Sequence, residues 1–94
     1  MTNAQKSAET LALRALGWVA ADDEIFGTFL SATGADAAAL RVLAADPVFL
    51  ASVLDFLMQE DAWVTGFCRS AGLPFDALAQ ARRSLPGGGD PHWT

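Results

Sequence analysis

The sequence has little of what most chemical sites need. Its 94 residues contain no tyrosine, one cysteine and one histidine. A single cysteine excludes an internal disulfide and any zinc site built from several cysteines. Cys68 is predicted on the apolar face of a helix, where a thiol behaves as a small hydrophobic group. We therefore expect no enzyme, no catalytic residue, no metal site and no cofactor.

Basic residues are also scarce. Six Lys and Arg stand against eleven Asp and Glu, which gives a formal net charge of -5. A protein that binds nucleic acid must neutralise several phosphates and therefore needs a basic face. The segment around Gly34 has the outline of a helix-turn-helix, but its second helix offers only Arg41. Direct binding to DNA or RNA is not expected.

Long apolar runs are missing as well. No uncharged stretch approaches the roughly 20 residues of a membrane-spanning helix, and the start of the chain does not have the pattern of a secretory signal. With 52% hydrophobic and 18% charged residues, the composition is globular. We expect a soluble cytoplasmic protein that contacts no membrane. The length favours one helical domain at residues 1–86, followed by a glycine-rich tail at residues 87–94.

Hydrophobic periodicity and helix start and stop signals predict six helical segments and no strand. At Asp46-Pro47 a capping carboxylate precedes a proline in the first helical turn. Gly34 and Gly72 are predicted to end two of the helices in the left-handed conformation. The predicted segments lie at about residues 4–21, 22–34, 36–43, 47–59, 60–72 and 74–85. The expected fold is all-α, a compact bundle of five to six short helices.

The fourth segment is expected at the centre of this bundle. A narrow polar stripe of Ser52, Asp55 and Gln59 interrupts an otherwise apolar surface, and a helix that is apolar nearly all round is usually buried. A buried carboxylate must be paired or hydrogen-bonded, so we expect Asp55 to reach solvent or a partner. The apolar residues of the segment are Val48, Phe49, Leu50, Val53, Leu54, Phe56, Leu57 and Met58.

The chain also aligns with itself at an offset of 38 residues, with Phe29 over Phe67 and Gly34 over Gly72. Two interpretations stay open. One is a pair of pseudo-repeated three-helix halves related by a two-fold axis, in which Phe29 and Phe67 are equivalent core anchors. The other is a chance match between alanine-rich helices.

Three stretches, ADPVFLASVLDFLMQED, FCRSAGLPFDAL and LPGGGDPHWT, resemble a family of small all-helical alphaproteobacterial proteins of unknown function. The resemblance covers the chain from about residue 9 to residue 94. Its most specific parts are the Asp46-Pro47 helix start, the Ala71-Gly72 corner and the Pro-His-Trp ending. It implies a bacterial, cytoplasmic, all-helical protein and brings no assigned activity, cofactor or catalytic residue.

The tail GGGDPHWT places the only histidine, His92, and one of three tryptophans, Trp93, after three glycines. Three interpretations stay open. Trp93 docks in a groove between helices, the tail presents Pro91, His92 and Trp93 to another protein, or the tail has no role. The second interpretation draws on the frequency of tryptophan as an interface anchor.

The leading functional hypothesis is a non-enzymatic cytoplasmic module with an interaction or regulatory role, acting through a protein partner. The candidate partner-binding residues are Pro91, His92, Trp93, Trp18 and Asp55. The alternative is a helical bundle that binds a small molecule or an acyl chain between its helices. Such a pocket would be lined by Phe49, Phe56, Met58 and Trp63. A homodimer is compatible with either hypothesis.

Overall fold

The structure is a computed structural model, which describes residues 3–86 as an all-α bundle. A 3-10 turn, Ala37–Ala39, leads directly into the third helix. The Cα radius of gyration is 12.6 Å, close to the roughly 13 Å expected of a compact chain of about this length. The six α-helices of the described residues are α1 Asn3–Ala20, α2 Asp23–Thr33, α3 Leu40–Leu43, α4 Pro47–Leu57, α5 Asp61–Ala71 and α6 Ala77–Arg83. The all-α prediction is confirmed.

Local capping interactions set the ends of these helices. Asp22, Asp36 and Asp46 each accept a hydrogen bond at Oδ1 from the backbone N–H two residues ahead, over 2.9 to 3.1 Å. Each bond satisfies a backbone donor that a helix N-terminus leaves without a partner. Gly34 and Gly72 follow α2 and α5 with φ values of 72° and 70°, a conformation that other residues rarely adopt. Both glycine caps and the Asp46 cap agree with the sequence prediction.

Three predicted boundaries are wrong by a few residues. The third segment opens as a 3-10 turn before it becomes α3. Helix α4 ends at Leu57 because the amides of Gln59 and Glu60 bond three residues back, which tightens the last turn. Helix α6 begins at Ala77 and not at Pro74, since the Ala77 N–H donates to the Pro74 carbonyl in a separate turn, at 3.0 Å.

Helix α4 lies at the centre of the bundle and packs against α1, α5 and α6. Seven of its eleven residues are buried. The expectation that the apolar residues of this helix are buried fails at Val48, which is 61% exposed in the first turn. Met58, which follows the helix, is half-buried. One face of the first turn of α4, at Val48, therefore lies outside the core.

The second helices of the two halves keep their register at the offset of 38. Helix α2 (Asp23–Thr33) maps onto α5 (Asp61–Ala71) without a gap, and the two glycine caps coincide. Phe29 and Phe67 are both fully buried, as the repeat interpretation predicts.

Two aromatic contacts relate the halves to each other. Phe29 packs edge-on against Phe56, with ring centroids 5.2 Å apart. Phe67 packs edge-on against Trp18, with ring centroids 6.3 Å apart. The offset carries Trp18 onto Phe56 and Phe29 onto Phe67. The second helix of each half therefore packs against the first helix of the other half. Reciprocal pairs of this kind are what a two-fold axis produces.

Within residues 3–86 no single helix combines the length and the apolar character of a membrane span. Residues 37–43 and 47–57 meet that description only when taken together across a bend of 120°.

Candidate protein-binding groove

Asp55, a predicted partner contact, forms an ion pair inside the molecule. Arg82 donates from Nε to Oδ1 of Asp55 over 2.8 Å, and from Nη1 to the carbonyl of Pro86 over 2.9 Å. The two charged side chains are 52% and 19% exposed for Asp55 and Arg82, so solvent screens the pair and its contribution is modest. In the described structure Asp55 holds the end of α6 against α4.

Trp18, the second predicted partner contact, lies half-buried between α1 and α5. Its indole covers Gly66 so closely that a Cβ atom there would lie 2.9 Å from Cζ2 of Trp18. Its ring also meets Phe67 edge-on. Trp18 thus has a packing role, and its contacts are separate from those of Asp55. The other predicted partner residues, Pro91, His92 and Trp93, lie outside the described residues.

Cys68 is buried on α5, as the sequence predicts. Burial raises the pKa of the thiol, and the negative charge of Asp76 raises it further. A thiol with a raised pKa stays protonated and is a poor nucleophile at neutral pH. Among the described residues, no group of three or more His, Cys, Asp or Glu side chains is placed to hold a metal ion.

The four side chains expected around a ligand pocket lie in different surroundings. Phe56 stacks on Trp63 with ring centroids 4.7 Å apart. Met58 lines a cleft of about 260 Å³ beside α6. Phe49 lines a larger groove on the other side of α4.

That groove, which we call the α2–α4 groove, is an open cavity of about 610 Å³ that sequence reasoning missed. It lies between the C-terminal end of α2, the turn into α3 and the first turns of α4. The residues that line it are Ala32, Thr33, Gly34, Ala35, Asp36, Leu43, Asp46, Val48, Phe49 and Ser52.

The α2–α4 groove combines an apolar floor with an acidic rim. Leu43, Val48 and Phe49 supply the floor, and the Phe49 ring is held edge-on against Phe29 at 5.9 Å. Asp36 and Asp46 stand at the rim, each using Oδ1 for helix capping. The described residues that line the groove include no Lys or Arg. The local charge is therefore negative, and it is supported by the net charge of the chain.

Among residues 3–86, a hydrogen bond at the end of α5 has no counterpart at the end of α2. Arg14 of α1 donates from Nη2 to the carbonyl of Ala71, the last residue of α5, over 3.2 Å. At the offset of 38, Arg14 maps onto Ser52 and Ala71 maps onto Thr33. Ser52 is short, and its hydroxyl donates instead to the Phe49 carbonyl of its own helix, at 2.6 Å.

The helices that follow the glycine caps also differ. In the second half Leu78 of α6 is fully buried, and Leu85 beyond it is 4% exposed. In the first half the turn Ala37–Ala39 and α3 contain no buried residue. The self-alignment carries one signal that would have indicated the groove, namely the replacement of a long side chain at position 14 by a serine at position 52.

Comparison with known proteins gives a family without an assigned activity. No curated protein matches the chain, and no solved structure does. The family model described as "Protein of unknown function (DUF3572)" matches residues 5–88, and so nearly all of the folded part described above. The resemblance to a family of proteins of unknown function is confirmed, and the alphaproteobacterial origin stays a prediction. This chain belongs to the DUF3572 family of proteins of unknown function.

Proposed function

We propose that this protein is a non-enzymatic protein-interaction module whose α2–α4 groove binds an apolar, positively charged segment of a partner protein. The observation that supports this most is the exposed apolar floor of the groove beneath an acidic rim. Val48 is 61% exposed, although it belongs to α4, a core helix in which most residues are buried. An apolar side chain left in water beside a cavity is what a binding surface needs.

The walls of the groove are held in place before any partner binds. The Asp46 cap fixes the start of α4, and the Gly34 cap fixes the end of α2. The Phe49 ring is anchored in the core by its contact with Phe29. A preformed site loses little conformational entropy on binding. One apolar side chain of the partner that fills the floor would contribute about 1.5–3 kcal/mol.

The charge of the rim selects the partner. Asp36 and Asp46 leave their second carboxylate oxygens for an incoming donor, and the chain carries a net charge of -5. Electrostatic complementarity raises the association rate and disfavours acidic partners. The segment that fits is therefore apolar at its centre and basic at its flanks.

A selection from randomised 12-residue peptides displayed on phage, with the full chain immobilised, tests this function. Binding of the enriched peptides is then measured by fluorescence polarisation. Val48→Arg removes apolar floor and adds a positive charge, and is expected to weaken binding by tenfold or more, about 1.4 kcal/mol. Val42→Arg is the matched control, because Val42 is 76% exposed and lies outside the groove lining.

The expected result is a set of enriched peptides that combine an apolar anchor with Lys or Arg, lose binding to Val48→Arg and keep it with Val42→Arg. The proposal is wrong if no peptide is enriched over the Val48→Arg protein. It is equally wrong if the enriched peptides bind both variants alike.

A further inference from the structure

We propose that the partner segment inserts an arginine into the α2–α4 groove and donates hydrogen bonds to the C-terminal carbonyl groups of α2. The inference rests on the proposed function, since it names the chemistry of the segment that the groove binds. The partner's arginine would do between two chains what Arg14 does within this one.

The contact made by Arg14 shows how this fold satisfies a helix end. The last carbonyls of a helix have no partner within the helix and carry partial negative charge. At the end of α5, the guanidinium of Arg14 reaches across from α1 to the carbonyl of Ala71 at 3.2 Å. The hydrogen bond joins residues 57 positions apart, so it depends on the packing of the two helices.

The equivalent end of α2 has no such donor in the described part of the chain. The Thr33 hydroxyl donates to the Phe29 carbonyl and accepts from the Ala35 N–H, but no side chain of residues 3–86 donates to the Thr33 carbonyl. The side chain at the position of Arg14 is Ser52, which bonds within α4. Thr33, at the end of α2, lines the groove.

The clefts on the two sides are built from equivalent positions. The equivalent cleft lies between α1 and α6 and has a volume of about 390 Å³. Five residues of the groove have equivalents that line this cleft. In the groove they are Asp46, Phe49, Ala35, Asp36 and Leu43, and in the α1–α6 cleft Ala8, Leu11, Leu73, Pro74 and Ala81.

Two of these five replacements introduce negative charge. Asp46 stands where the α1–α6 cleft has Ala8, and Asp36 stands where it has Pro74. Around the end of α2 there is thus a serine at the position of the cation Arg14, together with two carboxylates. Both differences favour the binding of a positively charged group of another molecule at this helix end.

Arginine fits this environment better than lysine. Its planar guanidinium has several donors in a fixed fork, so one side chain can bond a helix carbonyl and a rim carboxylate together. Its aliphatic stem can lie along the apolar floor at Val48 and Phe49.

The test uses the full chain and the basic 12-residue peptides enriched in the phage selection. Each arginine of a peptide is replaced in turn by citrulline, which keeps the shape and removes the charge, and by lysine. One citrulline is expected to weaken binding by about tenfold or more and lysine at the same position by about threefold, while the other positions change binding little. Carbonyl-carbon NMR should show a shift at Thr33 with the arginine peptide and a much smaller one with the citrulline peptide.

Two variants of the protein complete the experiment. Ser52→Arg supplies the missing cation within the chain and is expected to weaken peptide binding by about tenfold. Ser52→Ala leaves the groove open and should bind the peptides as the unmodified protein does. The arginine inference is overturned if the enriched peptides lack arginine, or if citrulline at every position leaves the affinity and the Thr33 shift unchanged.

These outcomes separate the two proposals. Peptides that bind Val48→Arg as well as the unmodified protein overturn the groove itself. Peptides that lose binding to Val48→Arg but tolerate citrulline leave the groove as a binding site and overturn only the role of arginine.

Discussion

The two halves of this chain share the order of their helices and their glycine corners, but their second helices end in different surroundings. At the end of α5, Arg14 bonds the last carbonyl, and α6 packs against α1 with Leu78 fully buried. At the end of α2, Ser52 stands at the position of Arg14, and α3 buries no residue. A few side chains therefore distinguish the surroundings of two equivalent helix ends.

The halves differ again at their aromatic contacts. Trp18 takes the place that Phe56 has in the other half, and its larger indole lies over Gly66. At the offset of 38, the residue equivalent to Gly66 is Thr28. The larger ring in one half is thus matched by the loss of a side chain opposite it. At this break of symmetry in the core, the volume is compensated.

The largest expected effect concerns the two equivalent core anchors. Phe29→Ala and Phe67→Ala each remove a fully buried ring and are expected to reduce the free energy of unfolding by about 3–5 kcal/mol. Urea denaturation followed by circular dichroism measures both. If the halves contribute equally to the core, the two losses agree within about 1 kcal/mol. A loss near zero for either variant would contradict the repeated core.

The second effect tests the contact between Trp18 and Gly66. A Cβ atom at Gly66 would meet the indole at 2.9 Å, whereas one at Gly27 of α2 would meet nothing within 4 Å. Gly27→Ala should gain the helix propensity of alanine, about 0.5–1 kcal/mol. Gly66→Ala should be less stable than Gly27→Ala by about 1–3 kcal/mol.

A double variant shows whether the indole is the cause of that difference. Trp18→Phe reproduces the smaller ring of the other half, so it should recover most of the cost of Gly66→Ala. Thermal or urea unfolding of the single and double variants gives the coupling between the two positions. Additive losses would place the strain elsewhere.

How much of this could be read from the sequence follows from the range of each interaction. The cap at Asp46 acts within one turn of helix, so the local pattern is sufficient to predict it. The pairing of Asp55 with Arg82 spans 27 positions, and no periodicity relates the two residues.

The groove could not be predicted from any one helix. Phe49 fits the same apolar pattern whether it faces a core or a cleft. Val48 fits that pattern too, although it is exposed and the two residues after it are buried. Only the comparison of the halves carries the information, because Ser52 is notable only once Arg14 is seen at the equivalent position. The position of the tail relative to the groove lies outside the described residues.

A third, smaller effect is expected when the residues at the equivalent positions 14 and 52 are exchanged. Ser52→Arg is expected to place a guanidinium at the Thr33 carbonyl and stabilise the fold by about 0.5 kcal/mol, the low end for an exposed hydrogen bond. Arg14→Ser should remove the bond to Ala71 and reduce the free energy of unfolding by a similar amount. Urea unfolding of the two single variants and the double exchange measures this. If Ser52→Arg destabilises the protein, the two helix ends are not equivalent.

The smallest effect distinguishes the halves by pH. Cys68 of α5 corresponds to Leu30 of α2, so only the second half has a titrating group at this core position. Burial and the charge of Asp76 hold the pKa of the folded-state thiol above its ordinary value. The folded protein therefore keeps a proton that the unfolded chain releases, and the stability is constant below the ordinary thiol pKa and falls as the pH rises from there toward the raised one. Unfolding measured between about pH 7 and 10 should show this decline in the unmodified protein and a weaker one in Cys68→Ala.

Slow alkylation of the native thiol by iodoacetamide, compared with the urea-unfolded chain, gives an independent readout. Equal alkylation rates would show that the core of the second half opens around Cys68 as readily as its surface does.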